Sequence, residues 1–258
     1  MNGAVTAGAC EGGRVLPPGV QEGAVRIPSP RGSLEGVLSY RPEAPARSAV
    51  LLLSPHPRFG GDFENNVLAI GARRFAAEGR AALRFNYPGV GKSEGPFRNP
   101  MESFRYWSEV LEGDAYDAIL ADCGAALSWL GDIAAPVHFF GYSFGAVLAL
   151  RLALERPEVL SVAAVALATG EFRFDFLAML ETPVLAIHPR NDFATPPATV
   201  AATLAAESSP AKSPRELVVL DGTDHFFRRR EEEVARVAEG FFHMQEERAA
   251  LDAHAPRI

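Results

Sequence analysis

The stretch Gly141-Tyr142-Ser143-Phe144-Gly145 sets one hydroxyl between two aromatic residues and two glycines. An apolar run, Val137 to Phe140, leads into it, and an Ala/Leu-rich run to Glu155 follows. That pattern predicts a buried strand, a sharp turn and a helix starting at once. A side chain at the tip of such a turn sits in a strained backbone conformation, and residues two positions away on either side must be small. The new helix points its N-terminal dipole at the serine and favours negative charge there. The backbone amide of Phe144 would face a developing oxyanion. Ser143 is therefore a candidate nucleophile; the alternative is a serine that merely N-caps the helix.

A serine hydroxyl needs a base to take its proton, and the base needs a carboxylate to orient it. When the nucleophile sits on a strand-to-helix turn, the expected chain order is serine, acid, histidine. The run VLAIHPRND ends in Asp192 and LVVLDGTDHFF reaches His225, both after apolar strand-like segments and both downstream of Ser143. Asp175 is the main rival acid. Asp224 adjoins His225 in sequence, so its side chain should diverge from the imidazole, and Asp221 is a turn-shaping residue. Among other histidines, His188 reads as a packed or rim residue and His138 as a satisfied buried one. His243 and His254 fall in a C-terminal helix or tail.

A second oxyanion donor should come from the loop SPHPRFGG after the SAVLLLSP run. Pro55 and Pro57 have no N–H to give. The first free amides past them belong to Arg58 and Phe59, and the expectation is one or the other. Gly60 and Gly61 let the backbone approach a ligand closely. His56 is expected to shape the loop, and His56, Gly60 and Tyr142 are expected to contact substrate. His56 has no second metal ligand at a suitable spacing, and neither a metal nor an organic cofactor is expected.

Short apolar runs alternate with helical patterns along the chain, the pattern of a mostly parallel sheet covered by helices. GAVRIPS and GSLEGVLSYRP predict a hairpin through Pro30 to Gly32. NNVLAIGARRFAAEG predicts a helix capped by Asn65 or Asn66 and stopped at Gly79. At 258 residues and 48% hydrophobic content the chain suits one large domain. The expected organisation is a disordered extension over 1–22 and a single domain over 23–258. The net charge is -7, and the Arg228–Arg230 run meets Glu231–Glu233 at once, so it reads as a solvated helix start and nucleic acid is not an expected partner. Cys10 and Cys123 are the two cysteines and lie in unlike contexts, so neither a disulfide framework nor a zinc site is expected. No run nears 18 apolar residues, so no membrane span is expected, and the N-terminus lacks a signal-peptide pattern. The default location is the cytoplasm.

From Gly23 to about Met244 the chain resembles α/β-hydrolases. It is most similar to small bacterial serine hydrolases with a His-Pro loop. The resemblance is carried by SPHPRFGG, LRFNYPGVGKSEGPF, FGYSFGA, HPRND and GTDHFF, in that order. It implies an α/β-hydrolase fold with an eight-stranded, mostly parallel sheet, helices on both faces and a small or absent cap. It also implies a Ser143, His225 and Asp192 triad and hydrolysis of an ester or related acyl bond. Two segments depart from that pattern. The aromatic segment around Phe104, Tyr106 and Trp107 either folds over the site mouth or packs. Phe172, Phe174 and Phe176 either line an acyl pocket or anchor a short helix. The expected partner is a small acyl substrate, with a homodimer left open. The alternatives are thioester, peptide or acyl-transfer chemistry by the same triad, or a silent binding protein on the same fold.

Overall fold

The computed structural model describes residues 15–112, 116–170, 172–206 and 213–254. Most of the expected N-terminal extension, with Cys10, lies outside the described residues. The first strand nevertheless begins two residues before the expected boundary. β1 (Gln21–Ser29) pairs antiparallel with β2 (Gly32–Tyr40), Gln21 opposite Tyr40 and Ser29 opposite Gly32. Glu22 explains the earlier start. Its buried carboxylate takes Arg73 and Arg84 at 3.0 and 2.9 Å, which ties the strand's beginning to its neighbours.

Eight strands form one sheet in the order β1-β2-β4-β3-β5-β6-β7-β8. Strands β3 (Ala49–Leu53), β4 (Ala81–Phe85), β5 (Val137–Tyr142), β6 (Val159–Val165), β7 (Val184–Asn191) and β8 (Arg215–Asp224) run parallel; β2 pairs antiparallel with β4. Residues β3, β4 and β5 are buried throughout, as continuous apolar strands covered on both faces should be. Alternate side chains enter opposite cores. Leu51, Leu53 and Phe139 join helices α3 (Asp117–Gly131) and α4 (Phe144–Glu155); Val50, Leu52 and Phe140 join α1 (Asn66–Ala77) and α6 (Glu231–His254).

Asn65 caps α1, its Oδ1 accepting from the amides of Val67 and Leu68 at 3.0 and 3.4 Å. Gly79 follows with φ +81°, the left-handed stop that glycine permits. The aromatic segment 100–112 is a helix, α2 (Pro100–Glu112), and α5 (Pro197–Ala206) fills the β7–β8 connection. Between β6 and β7 the described residues hold a single 3-10 helix, Asp175–Met179, so no large cap stands there.

From β3 the chain crosses to one side to make β4, then returns past β3 to make β5. Such a reversal of strand order opens a crevice at the carboxyl ends of the two flanking strands. The loop after β3 and the turn after β5 meet there.

Candidate active site

Ser143 has φ 54° and ψ −114°, outside the region that L-residues favour. Strain of this kind costs roughly 1–3 kcal/mol and persists only where the surroundings fix it. They do so here: the Ser143 amide donates to the Val165 carbonyl at 2.8 Å, and the Ala146 amide to the Ser143 carbonyl at 3.0 Å. A Cβ on Gly141 would lie 2.3 Å from the Gly145 carbonyl oxygen, and one on Gly145 would lie 2.1 Å from that of Leu53. The two glycines are therefore steric requirements of the turn. Ser143 holds the N-cap position of α4, yet its side chain makes no capping hydrogen bond. The capping alternative is thus not what its hydroxyl does.

Asp192 sits just past the end of β7, its side chain almost wholly buried. Its Oδ1 accepts from the amides of Ala194 and Thr195 at 2.8 and 3.2 Å, and its Oδ2 faces His225 Nδ1 at 2.8 Å. Burial alone would raise this carboxyl's pKa. The His225 hydrogen bond and charge, the Ala194 amide and His188 outweigh it and hold the pKa below the ordinary carboxylate value. With Nδ1 committed to the carboxylate, the imidazole keeps Nε2 for a hydroxyl. Tyr142 donates its hydroxyl to the His225 carbonyl at 2.6 Å, tying the histidine turn to the residue before Ser143. Its phenol pKa is raised, first by burial and then by the carboxylates of Asp192, Asp224 and Glu231. The expectation that Tyr142 contacts substrate therefore needs refining. Its ring borders the cavity, but its hydroxyl has an internal partner.

The loop after β3 departs from expectation. Pro57–Phe59 forms a 3-10 turn, and its amides point inward. Arg58 donates to His56 Nδ1 at 3.2 Å and Phe59 to the His56 carbonyl at 2.9 Å; Gly60 and Gly61 also donate within the loop. The Phe59 amide is thus held by a peptide carbonyl, and the Arg58 amide by the weaker acceptor, an imidazole nitrogen. Phe144, the first residue of α4, has an amide with no acceptor inside the helix, as helix geometry requires. His56 does shape the loop. It is buried edge-on against Phe144 and Trp107, with ring centroids 4.8 and 5.5 Å away. Burial, and then the Arg58 charge, lower its pKa to about 4 against the opposing Trp107 backbone. The neutral ring keeps Nδ1 free to accept.

Ser143, His225, Tyr142, His56, Phe59 and Gly60 border one cavity of about 380 Å³. Gly60, at φ +76°, has open space where a Cβ would be. The rivals lie elsewhere. Asp175 is exposed and paired with Arg173 at 2.7 Å, Asp221 pairs with Arg190 at 2.7 Å, and Asp224 accepts from the Phe226 amide at 3.0 Å. His138 is buried against Ser161 at 2.8 Å and Glu246 at 3.2 Å, and half-exposed His243 faces Glu247 at 3.3 Å. The His254 side chain lies outside the described residues. Buried His188 lies 2.8 Å through Nε2 from the Thr195 carbonyl, bracing the loop that cradles Asp192. Phe172, Phe174 and Phe176 pack against Tyr116, Phe144 and one another, and none borders the cavity. Trp107 is buried, whereas Phe104 is exposed under the Arg58 guanidinium, 4.4 Å away. Among the described residues no three His, Cys, Asp or Glu side chains are grouped to hold a metal ion.

Two aromatic residues of the site went unnoticed in the sequence. Phe193 and Phe226 border the cavity and stand exposed beside the His225 ring, at 4.9 and 5.9 Å. Their signal was present: each directly follows Asp192 or His225, as Phe144 follows Ser143.

A mostly parallel sheet with a strained serine elbow after β5, and a buried carboxylate and imidazole paired after β7 and β8, defines a hydrolase of the α/β kind. The comparisons agree, and the chain belongs to the alpha/beta hydrolase family, whose model matches residues 50–255. An uncharacterized protein of Rickettsia prowazekii is 30% identical over 216 residues, 80% of this chain and 83% of that protein. A protein of unknown function from Agrobacterium tumefaciens superposes with a TM-score of 0.73 at 26% identity, over 91% of this chain and 100% of its own. An alpha-beta serine hydrolase homologue from Coxiella burnetii gives 0.67 at 26% identity, over 83% and 94%. No helix among the described residues is long and apolar enough to cross a membrane.

Proposed function

We propose that the chain is a serine esterase working through Ser143, His225 and Asp192 on a small acyl substrate. His225 Nε2 takes the Ser143 proton as Oγ attacks the ester carbonyl. The tetrahedral oxyanion collapses, His225 protonates the departing alcohol, and an acyl-enzyme remains. Water, deprotonated by the same imidazole, then releases the acid and restores the serine. Asp192 fixes the imidazole with Nδ1–H toward itself and balances its charge during each transfer. The Phe144 amide is the first oxyanion donor. Arg58 is the better candidate for the second, because an oxyanion is a stronger acceptor than a neutral imidazole nitrogen and can draw its amide away. Each donor of this kind is worth about 3 kcal/mol of barrier.

The observation that carries the reading is the buried His225–Asp192 pair, 2.8 Å apart, with His225 bordering the same cavity as Ser143, whose hydroxyl makes no capping bond. A fluorophosphonate probe should label Ser143, located by mass spectrometry. Ser143→Ala should lose both the label and p-nitrophenyl acetate hydrolysis with its circular dichroism unchanged. Full activity in that variant would refute the assignment.

A further inference from the structure

The mouth of the cavity selects by what it lacks as well as by what it holds. Phe59 is 72% exposed, Phe193 74% and Phe226 46%. All three border the cavity that holds Ser143 and His225, and the Phe193 and Phe226 rings lie 5.9 Å apart. Large rings standing in water beside a reactive centre mark a surface meant to be covered. No Lys, Arg, Asp or Glu is among the described residues that border the cavity. Two cations stand close by without bordering the cavity: Arg58 lies over Phe104, with a 2.9 Å bond to Ser108, and Arg228 lies over Phe226, a ring of the mouth itself, at 5.4 Å. Polar selection is also thin. The Tyr142 hydroxyl is bonded to His225, His56 Nδ1 accepts from Arg58, and Asn65 Oδ1 caps α1. Beneath His225 lies the ionised Asp192, and the Asp224 carboxylate flanks the same turn.

We propose that this site takes uncharged esters bearing an apolar ring, clasped at the mouth by Phe59, Phe193 and Phe226, and turns away esters that carry a carboxylate. The proposal rests on the esterase reading and names its substrate class. A ring entering between Phe193 and Phe226 would meet aromatic faces and edges, and would cover surface that is now wet. A carboxylate passing between these rings into the cavity would shed water, would leave Arg228 behind on the outer side of Phe226, and would meet no cation among the described residues that border the cavity, with Asp192 beneath His225.

The test compares kcat/KM for benzyl acetate and methyl 3-phenylpropanoate, which carry the ring on the alcohol and acyl sides, with monomethyl glutarate. At least one ring-bearing ester should exceed monomethyl glutarate by about 100-fold, since an unpaired buried charge is that costly. Phe193→Ser and Phe226→Ser should each lower the ratio of the preferred ring-bearing ester to methyl acetate by about tenfold. Equal rates on monomethyl glutarate, or a ring preference that survives both substitutions, would overturn the proposal. Fluorophosphonate labelling of Ser143 in the parent and both variants separates this question from the nucleophile assignment. A labelled enzyme without ring preference fails only the substrate class, whereas an unlabelled parent fails the esterase reading.

Discussion

Asp192→Asn replaces one oxygen of a carboxylate whose two oxygens have different partners. Oδ1 accepts from the amides of Ala194 and Thr195 at 2.8 and 3.2 Å, while Oδ2 faces His225 Nδ1 at 2.8 Å. Asparagine has a single acceptor oxygen. Turned the other way, its NH₂ would confront two backbone N–H groups, so the loop forces the oxygen into the Oδ1 position. The NH₂ then meets His225 Nδ1 and donates to it. The imidazole must carry its proton on Nε2, where it cannot accept one from Ser143. The geometry therefore predicts the wrong tautomer along with a lost charge. The expected loss in kcat is about 10⁴-fold, equal to about 5 kcal/mol of barrier. The backbone amides stay satisfied, so unfolding should lose only about 1 kcal/mol, a fall in Tm of roughly 2–4 °C. Ester hydrolysis gives kcat, and nitrogen NMR of labelled His225 reports which ring nitrogen is protonated. Activity within about tenfold of the parent, or a proton still on Nδ1, would refute the reasoning.

Gly145→Ala would press a Cβ to 2.1 Å from the Leu53 carbonyl oxygen; backbone on both sides cannot yield, and stability should fall by about 3 kcal/mol or more in urea unfolding. Tyr142→Phe removes the 2.6 Å bond to the His225 carbonyl; about 1 kcal/mol of stability should go, with kcat lowered several-fold and KM little changed in steady-state kinetics. Glu246 has its pKa lowered to about 2, burial being outweighed by hydrogen bonds from His138, Ser48 and Arg80. A folded-state pKa below the ordinary carboxylate value of about 4.3 means stability that is complete above that pH and drains away as pH falls toward 2. Glu246→Gln should flatten that acid limb in denaturant titrations. At neutral pH it should cost about 2 kcal/mol, because the wholly buried Arg80 guanidinium keeps Glu239 at 3.3 Å but exchanges a two-oxygen carboxylate for an amide with one acceptor.

What the sequence disclosed was local and periodic. The Pro30–Gly32 hairpin, the Asn65 cap and the Gly79 stop each depend on one or two residues whose backbone preferences are strong. Ser143, Asp192 and His225 stood out for the same reason: each is a polar residue at the point where an apolar strand ends. What the sequence withheld was non-local. The Tyr142 hydroxyl finds its acceptor 83 residues away. The amides of Arg58 and Phe59 turn inward because a three-residue 3-10 turn and a neutral imidazole offer them acceptors, which no residue count reveals. Trp107 packs and Phe104 does not, although one helix carries both, because only one of them faces His56 and Phe144. The phenylalanines after Ser143, Asp192 and His225 show how local pattern and tertiary context combine. In a tight turn neighbouring side chains diverge, so a polar residue turned toward the crevice sends its successor elsewhere. After Ser143 a helix begins over the core, and Phe144 is buried beneath it. After Asp192 and His225 the chain is still at the rim, and Phe193 and Phe226 emerge into solvent. The apolar mouth and the buried Asp192–His225 pair are thus products of the same two turns, the inward residue of each supplying the pair and its successor the rim.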